Sequence, residues 1–339
     1  RDANVMIILC GSAMSFIEKE LLAEKNPLYG RATGIYKMKE MGFYDAAKFF
    51  PDYSDRDKVL AYAVLGGIPH YLRQWNPGLS IDENIKRNIL TKGCILYSEV
   101  EFLLHQELRE TPIYNSIIEA VALGSTKLND ISQKSLVEDT SKTSVYLKNL
   151  IELGIVEREF SVDAKTKEQA NSGRGAYRLT DNFFRFWYRF VPINMSAIDS
   201  GRIAKTYPHA VKQYLPDYMG LIYEKMCQDY LLYYSDSLPI ELSEIGQWWG
   251  TDPKKKKQIQ IDIVGTPVEG KDYIIGSCKY RNEKIGVDEL DLIRDYASVF
   301  GKGNNYHYYI FSKGGFTDGL LQAQERGEVR LITLEDLYK

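Results

Sequence analysis

The sequence predicts a mixed α/β protein of several domains, and three observations lead to this fold class. A continuous apolar run at residues 5–10 ends at a glycine and is followed by mainly helical patterns to about residue 105. Three short helices and two strands are predicted between residues 106 and 195. From about residue 205, one helix precedes alternating strand and helix patterns. At 339 residues, the chain is long enough for two or three domains of roughly 100–200 residues.

Composition excludes several classes of protein. Lys and Arg total 43 against 46 Asp and Glu, a net charge of −3, so the chain is not a highly basic nucleic-acid-binding protein, although one local basic face can still bind DNA. The apolar runs are far shorter than the roughly 20 residues of a membrane span, which predicts no membrane partner. The four cysteines form no metal-ligand spacing, which predicts reduced thiols in a cytoplasmic protein.

The first stretch reads as a strand of a parallel sheet followed by helices. Residues 5–10 end at Gly11 and Ser12, a helix is predicted at 15–23, and residues 26–31 form a turn. Open α/β sheets bind ligands just beyond the carboxyl ends of such strands, but an ordinary strand-to-helix turn explains the same residues. Since Arg1 is followed almost at once by this run, we expect the chain to be a piece of a longer protein.

A helix at residues 54–65 is predicted next, then a tight turn at Gly66 and Gly67 and a helix with an early proline, Pro69. The GxxxxGK[ST] phosphate loop occurs nowhere in the sequence. The chain by itself therefore cannot build a complete nucleoside triphosphate site.

Three motifs, ILCGS, PLYGR and GGIPHYL, resemble in order and spacing the second half of the ATPase domain of archaeal-type AAA/STAND ATPases. Those ATPases carry a C-terminal restriction-endonuclease-like (DUF234) domain. The resemblance implies that residues 1–105 are the C-terminal part of the ATPase domain with its helical lid. It also implies ATP and Mg²⁺ as cofactors of the intact parent protein, with nucleotide bound only together with an N-terminal half. It places Ser12 near the γ-phosphate, Arg31 as a charge sensor, and Gly67 and Pro69 in the lid turn.

The middle stretch predicts a winged helix over residues 106–195. Helices are expected at 113–123, 127–134 and 139–153, with Thr126 capping the second and residues 138–140 opening the third. Two strands, 155–162 and 176–180, follow with a polar loop between them. The third helix has an apolar face formed by Val145, Leu147, Leu150, Ile151 and Leu153.

DNA binding is one interpretation of this winged helix. It places Ser141, Lys142, Thr143, Ser144 and Lys148 in the major groove, and the wing residues Lys165, Lys167 and Arg174 near phosphates. Residues 113–190 contain 11 Lys and Arg against 10 Asp and Glu, which is a weak positive balance for a DNA-binding domain. A packing module between two domains is the alternative.

An aromatic run at residues 177–191 follows the second strand. Phe183, Phe186, Trp187 and Phe190 form one stripe at helical spacing, which is more typical of a core or a domain interface than of a base-stacking platform. The pattern Y-x-L-x-D-x-F-x-R-F-W-x-x-F in this run also resembles a signature of the ATPase family named above.

The last stretch, residues 205–339, predicts the element order αβββαβ. The helix is expected at 217–234, the three strands at 240–246, 258–264 and 273–280, the second helix at 287–299, and further strands at 306–312 and 329–332. Asp262 and Lys279 on neighbouring strands, with Glu224 on the preceding helix, resemble three of the four functional positions of PD-(D/E)xK nucleases. The resemblance implies Asp262, Lys279 and Glu224 as catalytic residues, and Asp262 and Glu224 as ligands of Mg²⁺ or Mn²⁺.

The fourth position departs from that pattern, because Ser277 stands where the nucleases have an acid. Serine is a poor Mg²⁺ ligand because it carries no charge. Glu241, Glu244 or Glu289 are candidates to replace the acid, and the sequence does not rank them. The basic residues 254–257 are either a solvated loop or a guide for a phosphate backbone.

Three functions follow from these patterns. The leading one is the C-terminal portion of an ATP-binding AAA/STAND ATPase whose winged helix and nuclease-like domain act on DNA or bind it. The second is a catalytically inactive nuclease fold that serves as a scaffold for DNA or protein. The third is a transcription regulator that acts through the winged helix.

Overall fold

The computed structural model describes residues 6–8, 24–25, 30–31, 33–137, 139–162, 175–252, 255–301 and 303–339. Met6, Ile7 and Ile8 lie in no strand, and between 73% and 86% of each residue is exposed. The predicted buried strand is therefore wrong at these residues, because a strand is buried only where neighbouring strands and helices cover it, and no described strand pairs with this segment. Ser12 and the helix predicted at residues 15–23 lie outside the described residues.

Short helices make up most of the first hundred described residues, as predicted. Ser54 caps the helix Asp55–Leu65 by accepting a hydrogen bond from the backbone N–H of Asp57. Ser80 and Glu83 form a capping box that begins the helix Ile81–Asn88. Pro69 is the first residue of α3, a position where its missing N–H costs nothing. The helices are α1 (Phe43–Ala46), α2 (Asp55–Leu65), α3 (Pro69–Leu72), α4 (Ile81–Asn88) and α5 (Ile95–Glu107).

The middle of the chain contains three helices and an antiparallel two-stranded ribbon, in the order that the sequence predicts. They are α6 (Thr111–Ala122), α7 (Leu128–Lys134), α8 (Thr140–Glu152), β1 (Val156–Glu159) and β2 (Ala176–Leu179). Asp139 caps α8 through the N–H of Ser141. The identification of this unit as a winged helix stays a prediction.

Two local expectations in this unit are wrong. The residue that caps α7 is Lys127 rather than Thr126, whose carbonyl oxygen instead accepts a hydrogen bond from Tyr177 of the ribbon. The apolar face of α8 is narrower than predicted, because Leu147 and Leu150 are buried while Val145 and Ile151 are 59% and 38% exposed.

The predicted aromatic stripe is part of the protein core. It lies on α9 (Asn182–Phe190), and all four of its members are at most 4% exposed. Phe186 and Phe190 make edge contacts with Tyr218 of a later helix, and the indole N–H of Trp187 donates to the carbonyl of Tyr97. Because α9 packs on both sides, this stripe joins the earlier helices to the C-terminal region.

Helices α10 (Met195–Asp199), α11 (Ile203–Ala210) and α12 (Leu215–Asp229) follow, and α12 continues as a π-helical turn, Tyr230–Tyr234. The remaining elements are β3 (Leu242–Asp252), β4 (Lys257–Pro267), β5 (Asp272–Lys279), α13 (Val287–Ala297), β6 (Asn305–Ser312), α14 (Asp318–Glu325) and β7 (Arg330–Thr333). We call residues 215–339 the C-terminal region. The chain of this region follows the predicted order of helix, three strands, helix and strand.

One five-stranded sheet, in the order β3-β4-β5-β6-β7, organises the C-terminal region. Strands β3, β4 and β5 are antiparallel, whereas β5, β6 and β7 are parallel. One face packs against α12 and against parts of α1 and α2, and the other face packs against α13 and α14. No helix in the described part of the chain has the length and apolar character that crossing a bilayer requires.

Candidate acid–lysine site on the C-terminal sheet

Two neighbouring strands bring the main candidate residues together. In the antiparallel register of β4 and β5, Ile263 pairs with Gly276, which places Asp262 directly opposite Ser277. Lys279 is the last residue of β5, two positions beyond Ser277, so its side chain leaves the same face of the sheet. Asp262 and Lys279 lie close together, with 3.5 Å between Oδ2 and Nζ.

Glu289 completes this cluster from the first turn of α13. Its Oε1 lies 2.7 Å from the hydroxyl oxygen of Ser277 and 3.2 Å from Nζ of Lys279. The hydroxyl also lies 3.2 Å from Oδ2 of Asp262, but it carries a single proton, so the shorter contact makes Glu289 its acceptor. We call Asp262, Ser277, Lys279 and Glu289 the acid–lysine cluster.

The structure ranks the three glutamates that the sequence left equal. Glu289 is 7% exposed and contacts the cluster directly, whereas Glu241 and Glu244 are exposed. Glu244 pairs with Thr266, four positions along β4 from Asp262. Of the three, Glu289 on the helix that follows β5 is thus the one that lies beside Ser277. The sequence signal that could have distinguished Glu289 is its position in the first turn of α13.

Further hydrogen bonds hold the cluster in place, and it is partly open to water. Asp262 Oδ2 also accepts a hydrogen bond of 3.0 Å from the backbone N–H of Cys278, and the side chain of Gln228 on α12 donates to the Asp262 carbonyl. The Asp262 and Glu289 side chains are 16% and 8% exposed, and that of Lys279 is 28% exposed. A ligand would therefore reach the carboxylates from the lysine side.

Lys279 is held as an ammonium ion. Burial alone favours the neutral amine, but the charges of Asp262 and Glu289 outweigh it and raise the pKa of Lys279 above its ordinary value. A permanently protonated lysine cannot act as a general base at neutral pH, but it can stabilise negative charge on a bound group.

Glu224 lies beside the cluster with a hydrogen-bond partner of its own. It projects from α12 and accepts a hydrogen bond from the side-chain amide of Gln247 on β3. Burial and the nearby charge of Asp262 raise the pKa of Glu224 to about 8, against the opposing effects of Arg178, Gln247 and Lys279. The three predicted catalytic residues thus share one electrostatic environment.

The donor set limits which cations suit the site. Among the residues that the structure describes, no three His, Cys, Asp or Glu side chains are arranged to enclose a metal ion. Mg²⁺ is commonly held by only one or two carboxylates, with water and substrate phosphates completing its shell. The carboxylates of Asp262 and Glu289 fit this open type of site and do not fit a closed structural one.

The structure does not bring the residues predicted to contact a nucleotide together in one described site. Ser12 lies outside the described residues, and Arg31 and Pro69 are exposed. Gly67 is buried: its N–H donates to the Glu40 carboxylate at 3.1 Å, and a Cβ there would lie 1.9 Å from the carbonyl oxygen of Met41. The glycine is thus required by a close backbone approach, and its predicted role at a nucleotide stays a prediction.

One of the residues predicted to contact DNA lies in the interior of the protein. Thr143 is fully buried and bonds to Ser132 and to the carbonyl of Asp139, so the prediction that it enters a groove is wrong. It lies on the inner side of α8 because it follows the helical period of Leu147 and Leu150. Ser141, Lys142, Ser144 and Lys148 are exposed on the outer side.

Other basic residues are accounted for in part. The wing residues Lys165, Lys167 and Arg174 lie outside the described part of the chain, as does Lys254. Lys255 forms an ion pair with Asp295 of α13, whereas Lys256 and Lys257 are exposed. The structure therefore leaves both interpretations of this basic loop open.

Comparison with known proteins connects the C-terminal region to a family. Residues 187–290 match the DUF234 family, described as "Archaea bacterial proteins of unknown function". This stretch includes Glu224 and every member of the acid–lysine cluster. An uncharacterized protein of Methanocaldococcus jannaschii is 29% identical over 348 residues, which cover 99% of this chain and 73% of that protein.

Two solved structures show weaker similarity. A Walker-type ATPase of Pyrococcus abyssi aligns with a TM-score of 0.36 at 20% identity, over 52% of this chain and 51% of the ATPase chain. A protein of Vibrio cholerae aligns with a TM-score of 0.31 at 12% identity, over 92% of this chain and 62% of its own. The chain thus spans about half the length of the ATPase that it matches.

Proposed function

We propose that the C-terminal region carries a divalent-cation site that cleaves phosphodiester bonds of DNA. The observation that carries this proposal is the acid–lysine cluster. Two carboxylates, Asp262 and Glu289, meet one ammonium group at the edge of two strands, and a serine hydroxyl stands between them. The αβββαβ element order and the parallel pairing of β5 with β6 support the PD-(D/E)xK resemblance that led to this cluster.

The residues have separate roles in this proposal. Asp262 and Glu289 would hold Mg²⁺ or Mn²⁺, and Glu224 is a further candidate ligand. The cation would supply Lewis-acid polarisation of the scissile phosphate. Lys279 stays protonated and stabilises the negative charge that develops on the phosphoryl oxygens. Ser277 acts by donating to Glu289, which fixes the direction of that carboxylate.

The exposed side of α8 supports DNA as the substrate. Lys142 and Lys148 project from it together with the hydroxyls of Ser141 and Ser144, which suits contacts to phosphate groups and base edges. Lys148 lies 4.0 Å from Glu152, so a phosphate would compete with that carboxylate for the lysine. Because the dependence of affinity on salt is proportional to the number of phosphate contacts, binding through so few cations is expected to weaken only modestly as salt rises.

A nucleotide role follows from the ATPase resemblance alone. In this part of the proposal, ATP and Mg²⁺ bind to the intact parent protein, and the turn at Gly67 and Pro69 belongs to its lid. This chain lacks the phosphate loop and should neither bind ATP tightly nor hydrolyse it. ATP turnover by the purified chain would contradict this part of the proposal.

A non-catalytic scaffold is the second candidate, and one observation favours it. Lys279 ion-pairs with both carboxylates of the cluster, so their charge is already partly neutralised without a cation. A nuclease fold that has lost its chemistry would keep such a cluster for its structural value. The two candidates differ in whether a divalent cation displaces the lysine from its carboxylates.

Cleavage of labelled single- and double-stranded DNA in Mg²⁺ and in Mn²⁺ tests the proposal. We expect cleavage by the wild-type chain, with loss of activity in D262A, K279A and E289Q. The matched control E244Q alters an exposed glutamate of the same sheet and should cleave at the wild-type rate. Absence of cleavage with DNA still bound would favour the scaffold, and equal activity in D262A and wild type would place any nuclease elsewhere.

A further inference from the structure

The ribbon of the middle unit reaches the acid–lysine cluster through one buried amide. Gln247 of β3 is 2% exposed, and its side chain lies between Arg178 of β2 and Glu224 of α12. Its Oε1 accepts a hydrogen bond of 3.1 Å from Nη2 of Arg178. Its Nε2 donates to Oε2 of Glu224. We call Arg178, Gln247 and Glu224 the relay.

The relay is matched in only one orientation of the amide. A guanidinium group can only donate hydrogen bonds, and a carboxyl group keeps an accepting oxygen whether it is ionised or protonated. With Arg178 in place, the amide oxygen of Gln247 must face the ribbon, and its NH₂ group must face Glu224. Rotating the amide by half a turn would oppose two donors at Arg178, and such a buried mismatch costs about 1–3 kcal/mol.

Arg178 is held in place by the ribbon itself. Its Nε bonds to the carboxylate of Glu159 on the neighbouring strand, and the Arg178 and Glu159 side chains are 19% and 25% exposed. One guanidinium group thus contacts Glu159 within the ribbon and Gln247 across the junction. Arg178 can make both contacts only when the ribbon lies against the sheet.

The residues that follow β1 are also hydrogen-bonded to β3. The N–H of Val162 donates to the carbonyl of Gln247 at 2.9 Å, and the N–H of Trp249 donates to the hydroxyl of Ser161 at 3.1 Å. Val162 is 1% exposed and belongs to the core beneath α13. A Cβ at Gly246 would lie 2.9 Å from Val162, so the glycine permits this close approach.

We propose that docking of the ribbon positions Glu224 for the acid–lysine cluster, with Arg178 and Gln247 as the positioning residues. When the ribbon is docked, Arg178 fixes the amide of Gln247 and the amide fixes the carboxylate of Glu224. When the ribbon moves away, the amide is free to rotate and Glu224 loses its donor. The cluster is thereby coupled to the unit that precedes it in the chain. This inference rests on the proposed cation site for its consequence, but its geometry stands without it.

The surroundings of Glu224 agree with a role in positioning. The charged and titratable groups that face it come from three other elements, and its own helix adds one thiol. They are Arg178 from the ribbon, Asp262 from β4, Cys278 and Lys279 from β5, and Cys227 from α12. A cavity of about 130 Å³ borders Arg178 and Gln247 between the ribbon and α12, which leaves room for this junction to rearrange.

The orientation of the Gln247 amide can be measured directly. In cation-free protein labelled with ¹⁵N-glutamine, the side-chain resonance lost in Q247L belongs to Gln247. We expect one of its amide protons to lie downfield of a solvated amide, because it donates a hydrogen bond to a carboxyl oxygen of Glu224. A wild-type resonance at the position of a solvated amide would overturn the proposal before any arginine variant is made.

Substitution of Arg178 tests the coupling. R178M, which removes the donors and keeps an unbranched stem as far as the position of Nε, should abolish the downfield shift, whereas R178K should keep it. The control R326M makes the same change at an exposed arginine and should leave the resonance unmoved. An unchanged resonance in a folded R178M protein would overturn the relay.

The consequence for the cluster is measured with Mn²⁺, by electron paramagnetic resonance of the free ion. Loss of a residue that orients a metal ligand typically weakens metal binding 10–100-fold, so R178M should bind Mn²⁺ at least about tenfold more weakly. Restored affinity in R178K would show positioning rather than a loss of packing. If no variant binds Mn²⁺, the proposed cation site fails, while the amide resonance still decides the relay.

Discussion

Replacing Glu289 by alanine should destabilise the C-terminal region by about 2–3 kcal/mol. The substitution removes the acceptor that lies 2.7 Å from the buried hydroxyl of Ser277, and a hydrogen bond to a charged acceptor contributes about 1.5–3 kcal/mol. It also removes one of the two ion pairs of Lys279. The loss of the ion pair costs less than the roughly 3–5 kcal/mol of a fully unpaired buried charge, because Asp262 remains 3.5 Å from the ammonium group.

The E289Q variant separates the two contributions. Its amide oxygen still accepts from Ser277, so E289Q should lose about 1 kcal/mol, mainly from the ion pair. The control E244A changes an exposed glutamate of the same sheet and should alter stability by less than about 0.5 kcal/mol.

Urea unfolding followed by tryptophan fluorescence measures these differences, since Trp248 and Trp249 lie on β3 of the same sheet. The predicted order of stability is wild type and E244A first, then E289Q, then E289A. If E289A is no less stable than E244A, Glu289 is not part of a built cluster. The structural basis of the proposed function would then be lost.

Three further predictions concern other parts of the chain. G67A should lower the free energy of unfolding, measured by thermal unfolding, by about 2–4 kcal/mol, because its Cβ would overlap the neighbouring backbone. The control G220A lies in open space on α12 and should be neutral or slightly stabilising. Equal losses in the two variants would contradict the close approach at Gly67. T143V should lower the free energy of unfolding by about 1 kcal/mol without changing DNA affinity. K148A should reduce the slope of log affinity against log salt by about 1 in fluorescence anisotropy titrations. The opposite pattern would place Thr143 in the interface after all. Burial raises the pKa of Asp181 to about 6, so its ionisation costs stability as the pH rises from 4 to 7. Between these pH values, the free energy of unfolding of D181N should rise by about 2–3 kcal/mol relative to that of the wild type. Parallel pH profiles of unfolding for the two proteins would contradict this prediction.

The sign of the Asp181 effect follows from linkage. Its carboxyl has a higher pKa in the folded protein than in the unfolded chain, so the folded state binds the proton more tightly. The stability that this proton supplies is fully present below the unfolded pKa and is lost as the pH rises through about 6. Asparagine keeps an oxygen that can cap α9 and carries no titrating proton, so its stability lacks this dependence.

Local patterns predicted most of the secondary structure because they act over a few residues. The proline at the start of α3, for example, fixes an element boundary without distant contacts. The stripe of aromatic residues on α9 was also predicted as a core, since a helical period requires only its own sequence.

The errors occurred where distant contacts decide the outcome. The apolar residues at positions 6–8 predict a buried strand, but burial depends on partners that the local pattern does not contain. Thr126 has the chemistry of a helix cap, but its carbonyl bonds to the ribbon and the helix begins one residue later. Thr143 was assigned to a groove by its polarity, although the helical period places it inside.

The same limit applies to the candidate site. Asp262 and Lys279 were singled out by the resemblance to PD-(D/E)xK nucleases, which needs only an acid and a lysine on two strands that follow each other in the sequence. Glu289 could not be ranked above Glu241 and Glu244, because its distance from Ser277 depends on how α13 returns across the sheet. Gln247 gave no signal at all, since its role exists only through contacts with Arg178 and Glu224 from two other elements.

A titration of the wild-type chain with Mn²⁺, followed by electron paramagnetic resonance, tests most directly whether the acid–lysine cluster is a cation site. The account predicts one site in the wild type, at least about tenfold weaker binding in E289Q and in D262N, and unchanged binding in the control E244Q. Absence of binding in the wild type, or equal binding in E289Q and E244Q, would contradict it.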